Sequence, residues 1–380
     1  MNPIVIIGSG LAGYTVAKEY RKLKKNDVLI ITQDDGAFYS KPMLSNGIAK
    51  NKTAEQLVTS SSVAMSESID IRVSRNTVVS RIDLSEKKLI TESGNEIEYS
   101  QLVLATGAIP NEIDAVTNID ADTAKKIFHI NSLQDYAIFR SALEQSKRIA
   151  IIGPGLIGCE FANDLAQAGY NVDVIGPSSY PLDKLVPGEI GEFIKNSLSA
   201  IGVQWHLQTT VESIQKSAAG LLLKLTNNET IEADIILSAI GLRPNLALAE
   251  LAGIKVNRGI LVDNFLHTSE SGIYALGDCS ELNGDVLPFI LPLMVEARAL
   301  AKTLAGMATE VVYPVMPVVV KTPACPLVIC LPDKSLAGRW TTESTELGIK
   351  ACFHDKYKQL KGFCLIGNAV AEKQSLTKLL

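Results

Sequence analysis

Two glycine clusters of identical spacing, each set between a short apolar run and a helical pattern, constrain this chain more than any other feature. Ile4–Ile7 leads into Gly8-Ser9-Gly10-Leu11-Ala12-Gly13 and a helical pattern over Tyr14–Leu23. Arg148–Ile152 leads into Gly153-Pro154-Gly155-Leu156-Ile157-Gly158 and a helical pattern over Cys159–Ala168. A further strand follows each helix, Val28–Ile31 in the first case and Asn171–Ile175 in the second. This spacing suits a dinucleotide pyrophosphate. The first glycine allows a tight turn, the second lets phosphate reach bare backbone, and the third lets helix and strand pack closely. The free N–H groups of the helix N-terminus then face the anion. One such cluster is a weak signal because glycine-rich turns are common, but two in a strand–turn–helix context are far more specific. The chain therefore reads as α/β, with two Rossmann-like domains.

Composition agrees. At 380 residues there is room for two or three domains. The mean hydropathy is +0.18, yet no apolar run approaches the ~18 residues of a membrane span. The excess reads as Val/Ile-rich parallel strands buried on both faces. A formal net charge of −5 offers no footprint for nucleic acid. The apolar opening Pro3–Ile7 lacks a basic flank and runs straight into glycines, so it reads as a strand and not a signal peptide. The cysteines (159, 279, 325, 330, 352, 364) form no Cys-x-x-Cys pair, which favours reduced thiols in a cytoplasmic protein. The histidines (129, 206, 267, 354) show no metal spacing, and no metal site is expected.

The duplication extends beyond the glycines. A hairpin-like stretch (Arg81–Asp83 and Lys88–Thr91) precedes Leu102–Leu104 and Ala105-Thr106-Gly107. In the second half Leu221–Leu225, a turn at Asn227-Asn228 and Ile231–Ile236 precede Ser238-Ala239-Ile240-Gly241. Gly259–Asp278 carries an apolar run that ends in Gly277-Asp278, an amphipathic helix is expected over Leu293–Leu304, and Pro- and Val-rich strand material begins near Val315. The acid that holds a ribose belongs at the end of the strand after the glycine turn. Asp27 precedes its strand, so the turn Gln33-Asp34-Asp35 is the candidate. In the second unit that position reads Gly176-Pro177-Ser178-Ser179, with neither an acid nor an arginine cluster, and NADH is weakly preferred over NADPH.

Over nearly its whole length the chain resembles the two-dinucleotide-binding flavoproteins, the FAD- and NAD(P)-dependent oxidoreductases. The matches are both glycine fingerprints, Leu104-Ala-Thr-Gly107 with Pro110, and Thr268 followed by Ile273-Tyr-Ala-Leu-Gly-Asp278. The resemblance implies FAD at the first turn, NAD(H) at the second, and a ribityl-binding role for Asp278. It also implies an NAD domain (111–244) inserted in the FAD domain (1–110 and 245–315), with a small α+β C-terminal domain (316–380). Disulfide reductases of the family carry Cys-x4-Cys on an early helix. Here Tyr39-Ser-Lys41-Pro42-Met-Leu44-Ser45 stands in its place. With Gly155–Asp164 and Val320–Pro326, this segment makes the chain similar to the branch that serves rubredoxin and small iron–sulfur carriers. Cys325 and Cys330 do have the x4 spacing, but five residues apart on a strand they point to opposite faces, so the spacing reads as chance.

That likeness implies FAD contacts from Lys41, Val79, Glu160, Asp278, Ile290 and Lys321. Lys41 and Glu160 are expected to act as a buried ion pair at the flavin–nicotinamide junction, with Lys321 at the pyrimidine end of the ring. The implied activity is hydride transfer from NADH to FAD, then single electrons to rubredoxin as partner, feeding an alkane-hydroxylating system, from a monomer or weak dimer. Rubredoxins are typically acidic, so a local basic patch is expected; residues 331–380 hold eight Lys/Arg against five Asp/Glu. A flavorubredoxin or ferredoxin reductase, a disulfide or peroxide reductase, and a flavoprotein with a signalling role remain open.

Overall fold

A computed structural model describes residues 2–113, 119–218, 220–345 and 347–380. The contacts divide the chain into two compact units. The first comprises Met1–Ser40, Val58–Ile109 and Leu242–Pro314. Its centre is a parallel sheet in the order Ile273–Ala275, Gln101–Leu104, Ile4–Ile7, Val28–Ile31, Arg72–Ser74. The inner strands are runs of Val, Ile and Leu because both faces are covered. Ile4, Ile6, Val28, Ile30 and Val103 pack with Tyr14, Val16, Ala297 and Leu300 of the helices Leu11–Arg21 and Ile290–Leu304. The alternate residues Val5, Ile7, Leu29, Ile31 and Leu102 pack with Val79, Ile82 and Leu89 of an antiparallel meander.

The second unit comprises Lys41–Leu57, Pro110–Gly241 and Val315–Leu380. It repeats the design, with parallel strands in the order Ile127–Phe128, Ile235–Ser238, Arg148–Ile152, Asn171–Gly176, Val203–Leu207. An antiparallel meander, Val211–Ser217 with Gly220–Leu225 and Thr230–Ala233, supplies Leu221, Leu223 and Leu225 to its core. An antiparallel sheet of Val318–Val320, Leu327–Cys330, Leu360–Gly367, Gly348–Asp355 and Gly338–Thr345 forms the C-terminal region. The expected α/β class with two Rossmann-like sheets is what the chain adopts.

Both glycine-led helices begin three residues earlier than their apolar periodicity indicates, at Leu11 and Leu156, with Gly10 and Gly155 as N-caps. The third glycine of each cluster therefore lies inside the first turn. Glycine costs about 1 kcal/mol in a helix, and close packing outweighs that here. The later helix also starts ahead of its prediction, at Ile290. Pro292 sits in its first turn, where a missing N–H costs nothing.

One polar cluster in the second unit has a pH signature. His206 Nε2 lies 2.8 Å from Asp173 Oδ1, and its Nδ1 lies 3.2 Å from Glu229 Oε2. These partners, Asp173 foremost, hold the imidazolium above the ordinary histidine pKa. A raised folded-state pKa stabilises fully below the unfolded value, about 6.5, and that contribution is lost as pH rises through the folded value. The thermal-midpoint gap between wild type and His206→Gln is thus expected to be widest in mild acid and to close in alkali. A gap independent of pH would remove this role.

Candidate functional site

In the first unit each fingerprint glycine meets a different physical demand. A Cβ on Gly8, whose φ is +116°, would lie 2.2 Å from Ala105 O, and one on Gly13 would lie 1.9 Å from Gly8 O. A Cβ on Gly10 would meet nothing within 4 Å. The outer two are forced by packing, whereas the middle one faces open space at the start of Leu11–Arg21. That is the arrangement a pyrophosphate needs to reach bare N–H groups.

The surrounding turn is tied together by side chains. Ser9 is buried, and its Oγ donates to Thr32 Oγ1 at 2.9 Å and to Asp34 Oδ1 at 3.3 Å. Asp34 Oδ1 also accepts from Thr32 Oγ1 at 2.6 Å and from Gly36 N at 2.9 Å. Asp35 accepts from Ala37 N, and Gln33 is exposed beside them. Asp27, at the far end of the strand, pairs with Arg72 at 2.6 Å. Thr106 Oγ1 donates to Asn245 O at 2.9 Å, and Gly107 takes a φ of +69°. Val79 is buried in the core, so it can offer a ligand chiefly its main chain. Ile290, half-exposed, opens the helix behind Gly277.

Asp278 follows Gly277, whose φ is +75° and where a Cβ would lie 3.4 Å from Ala12 Cβ and from Leu293 Cδ1. Glu296 holds this corner, a role the sequence did not point to. Its carboxylate accepts from Gly277 N at 2.7 Å and from Tyr313 Oη at 2.6 Å. Burial raises the pKa of both Glu296 and Tyr313.

The second unit repeats the turn. A Cβ on Gly153 would lie 2.5 Å from Ala239 O, one on Gly158 would lie 1.9 Å from Gly153 O, and one on Gly155 would meet nothing within 4 Å. Leu156 and Ile157 open the helix Leu156–Gln167. Gly241, with φ +102°, closes the facing loop, and its carbonyl accepts from Asn111 N at 3.1 Å. At the carboxyl edge of this sheet His129 Nδ1 and Ser238 Oγ are buried without a hydrogen-bond partner. Phe128 pairs with Leu237, so His129 and Ser238 stand at one level.

That helix also organises a charged cluster. Glu160 is 3% exposed. Its carboxylate accepts from Ser45 Oγ at 2.5 Å and from Lys321 N at 2.8 Å. One turn on, Asp164 accepts from Ile48 N at 2.7 Å and Ala49 N at 3.2 Å, while Asn163 Oδ1 accepts from Ala324 N at 3.0 Å. Bonds to charged acceptors contribute about 1.5–3 kcal/mol each, so the two carboxylates, with the Asn163 amide, clamp the segment 41–57 and the Lys321–Ala324 strap to one helix. Lys321 Nζ donates to Pro42 O at 2.6 Å. Burial pushes its ammonium below the usual lysine value, against the pull of Glu160. Lys41 Nζ donates to Asn131 Oδ1 at 3.1 Å. The structure thus brings Lys321 to Glu160, a pairing not expected from sequence, and directs Lys41 towards Asn131. Ser45, Asn163 and Asp164 stand in the segments that carry the resemblance, but their bonding roles were not expected; the signal for Asn163 and Asp164 is polar residues on an otherwise buried helix.

Residues 2–302 match the pyridine nucleotide-disulphide oxidoreductase family, and residues 310–380 match a rubredoxin binding C-terminal domain. The chain belongs to the pyridine nucleotide-disulphide oxidoreductase family. It is similar to a rubredoxin-NAD(+) reductase of Alcanivorax borkumensis, 44% identical over 100% of this chain and 98% of that protein. It is also similar to one of Acinetobacter baylyi, 45% identical over 99% and 97%. Its fold matches that of a covalent putidaredoxin reductase–putidaredoxin complex with a TM-score of 0.90 at 22% identity, covering 100% of this chain and 93% of that one.

Both turns leave open space at their middle glycines, Gly10 and Gly155. All six cysteines are free and buried. Cys325 lies in the turn ahead of the strand Leu327–Cys330 and not on it as expected, and burial raises both thiol pKa values, that of Cys330 to about 11. Such thiols are poor nucleophiles. Among the described residues no group of His, Cys, Asp and Glu could hold a metal ion.

Proposed function

We propose that this chain is an NADH-dependent flavoprotein reductase that passes electrons from NADH through FAD to rubredoxin. One observation carries the reading: a single chain joins two glycine turns, each open at its middle glycine, to a segment, 310–380, that matches a rubredoxin-binding domain. Gly8–Gly13, the Gln33–Asp35 turn, Ala105–Gly107 and Asp278 would hold FAD, and Gly153–Gly158 with Gly241 would hold NAD(H). Bound FAD would supply the conversion of an electron pair into single electrons. The protein's part is positional and electrostatic. Glu160 fixes the Lys321 main chain, and Pro42 O holds the half-buried Lys321 ammonium, a preorganised cation of the second unit.

A basic, aromatic hairpin tip supports an acidic protein partner. Lys356, Tyr357 and Lys358 are exposed between the strands Gly348–Asp355 and Leu360–Gly367, with Lys356 Nζ 5.0 Å from the Tyr357 ring centre. We place the protein in the cytoplasm. Six unpaired buried cysteines accord with a reducing compartment, and among the described residues no helix is long and apolar enough to cross a membrane.

The test is NADH-driven reduction of purified rubredoxin, followed spectroscopically at rising ionic strength. Rubredoxin reduction is expected to slow several-fold as screening grows, while reduction of a small artificial acceptor holds steady. Rapid NADH oxidation with the artificial acceptor but none with rubredoxin would discard this partner.

A further inference from the structure

Pro154 and Gly176 are sterically locked against each other at the end of the second strand. In a dinucleotide-binding unit an acid at the end of the second strand takes the ribose hydroxyls and repels a 2′-phosphate. Here the second strand is Asn171–Gly176, and the acid's place falls to Gly176. A Cβ on Gly176 would lie 2.1 Å from Pro154 Cδ and 2.5 Å from Pro154 Cγ. No side chain fits while that ring is present.

The ring cannot step aside. Its φ is fixed, and the Pro154 carbonyl accepts from Leu182 N at 2.9 Å and from Cys159 Sγ at 3.5 Å. Gly153 N donates to Ile175 O at 2.8 Å, and Gly176 O accepts from Thr209 N at 3.2 Å. Pro154 thus lies between two anchored stretches of backbone. The residues after the strand are Pro177, Ser178 and Ser179, and the first basic residue beyond them is Lys184. Serine hydroxyls both donate and accept, so they serve a ribose hydroxyl or a phosphate oxygen alike. A phosphate-selective site would need arginine.

We propose that Pro154 and Gly176 together deprive this site of its ribose-discriminating carboxylate, so that the chain binds the dinucleotide with or without a 2′-phosphate within a factor of ten. NADH remains a donor, and NADPH becomes a second one. The proposal rests on reading Gly153–Gly158 as the dinucleotide turn.

The test is titration calorimetry of the flavin-loaded protein with ADP-ribose and with 2′-phospho-ADP-ribose, which reports binding without turnover. Wild type should bind both with dissociation constants within tenfold of each other. Gly176→Ala alone should weaken both equally, because its methyl group meets the proline ring. Pro154→Ala combined with Gly176→Glu should restore binding of ADP-ribose and raise its preference over the phosphorylated ligand by tenfold or more. Wild-type discrimination beyond tenfold, or Gly176→Ala binding as tightly as wild type, would overturn the lock. Absence of binding by either ligand to wild type would sink the reading of the turn itself, a result distinct from both.

Discussion

Gly13→Val is expected to yield a colourless protein. The first carbon of the new side chain would lie 1.9 Å from Gly8 O and 3.3 Å from Ile6 Cγ2, so both backbone and core strand oppose it. Overpacking of this kind costs about 1–3 kcal/mol. Relieving it means opening the Gly8–Gly13 turn, which the pyrophosphate needs closed. Flavin content, read from the visible spectrum of purified protein, should fall by roughly tenfold or more, since each 1.4 kcal/mol is a factor of ten. Gly10→Val provides the contrast. Open space at Gly10 lets that side chain fit the unliganded fold, so thermal stability should hold while flavin uptake fails. A fully yellow Gly10→Val would contradict the placement of a pyrophosphate at this turn.

Neutralising Glu160 is expected to slow reduction of the flavin by NADH about 10²-fold, in line with loss of one preorganised electrostatic group. Glu160→Gln keeps partners for Ser45 Oγ and Lys321 N but removes the charge that sustains the half-buried Lys321 ammonium. Burial already lowers the Lys321 pKa, and without Glu160 it falls further. The rate should therefore decline with rising pH as Lys321 deprotonates, and in Glu160→Gln the decline should begin at lower pH. Glu160→Ala adds a structural penalty of about 1–3 kcal/mol from unpaired buried donors, separable by a melting curve. Stopped-flow flavin reduction across pH decides the matter. An unchanged rate and profile in Glu160→Gln would remove Glu160 and Lys321 from the chemistry.

The glycine turns were legible from sequence because glycine was doing three things that no other residue can do, at fixed offsets. The helix starts were not. Gly13 and Gly158 lower helical propensity just where packing on Gly8 O and Gly153 O demands a helix. The duplicated loops Ala105–Gly107 and Ser238–Gly241 were visible as a repeat. What each does, blocking a Cβ on Gly8 or Gly153 with a carbonyl, depends on parallel strand register that spacing alone does not supply. The charged cluster was half legible. Glu160 and Lys321 were each singled out, but their meeting depends on a contact 161 residues apart in sequence. Asp164 was visible only as the end of the Gly155–Asp164 motif; its bonds to Ile48 N and Ala49 N join residues more than a hundred positions apart in sequence.

The Lys321–Ala324 strap bears on how such reductases can be recombined. The segment matching the carrier domain begins at 310, and a domain swap would naturally be cut there. Yet Lys321 N and Ala324 N are fastened to Glu160 and Asn163 on the helix Leu156–Gln167. A graft cut at 310 would exchange those fastenings along with the carrier surface. A junction placed after Pro326 would leave them with their host and transplant only the sheet that follows. Modularity in this chain therefore begins about sixteen residues later than sequence similarity alone would place it.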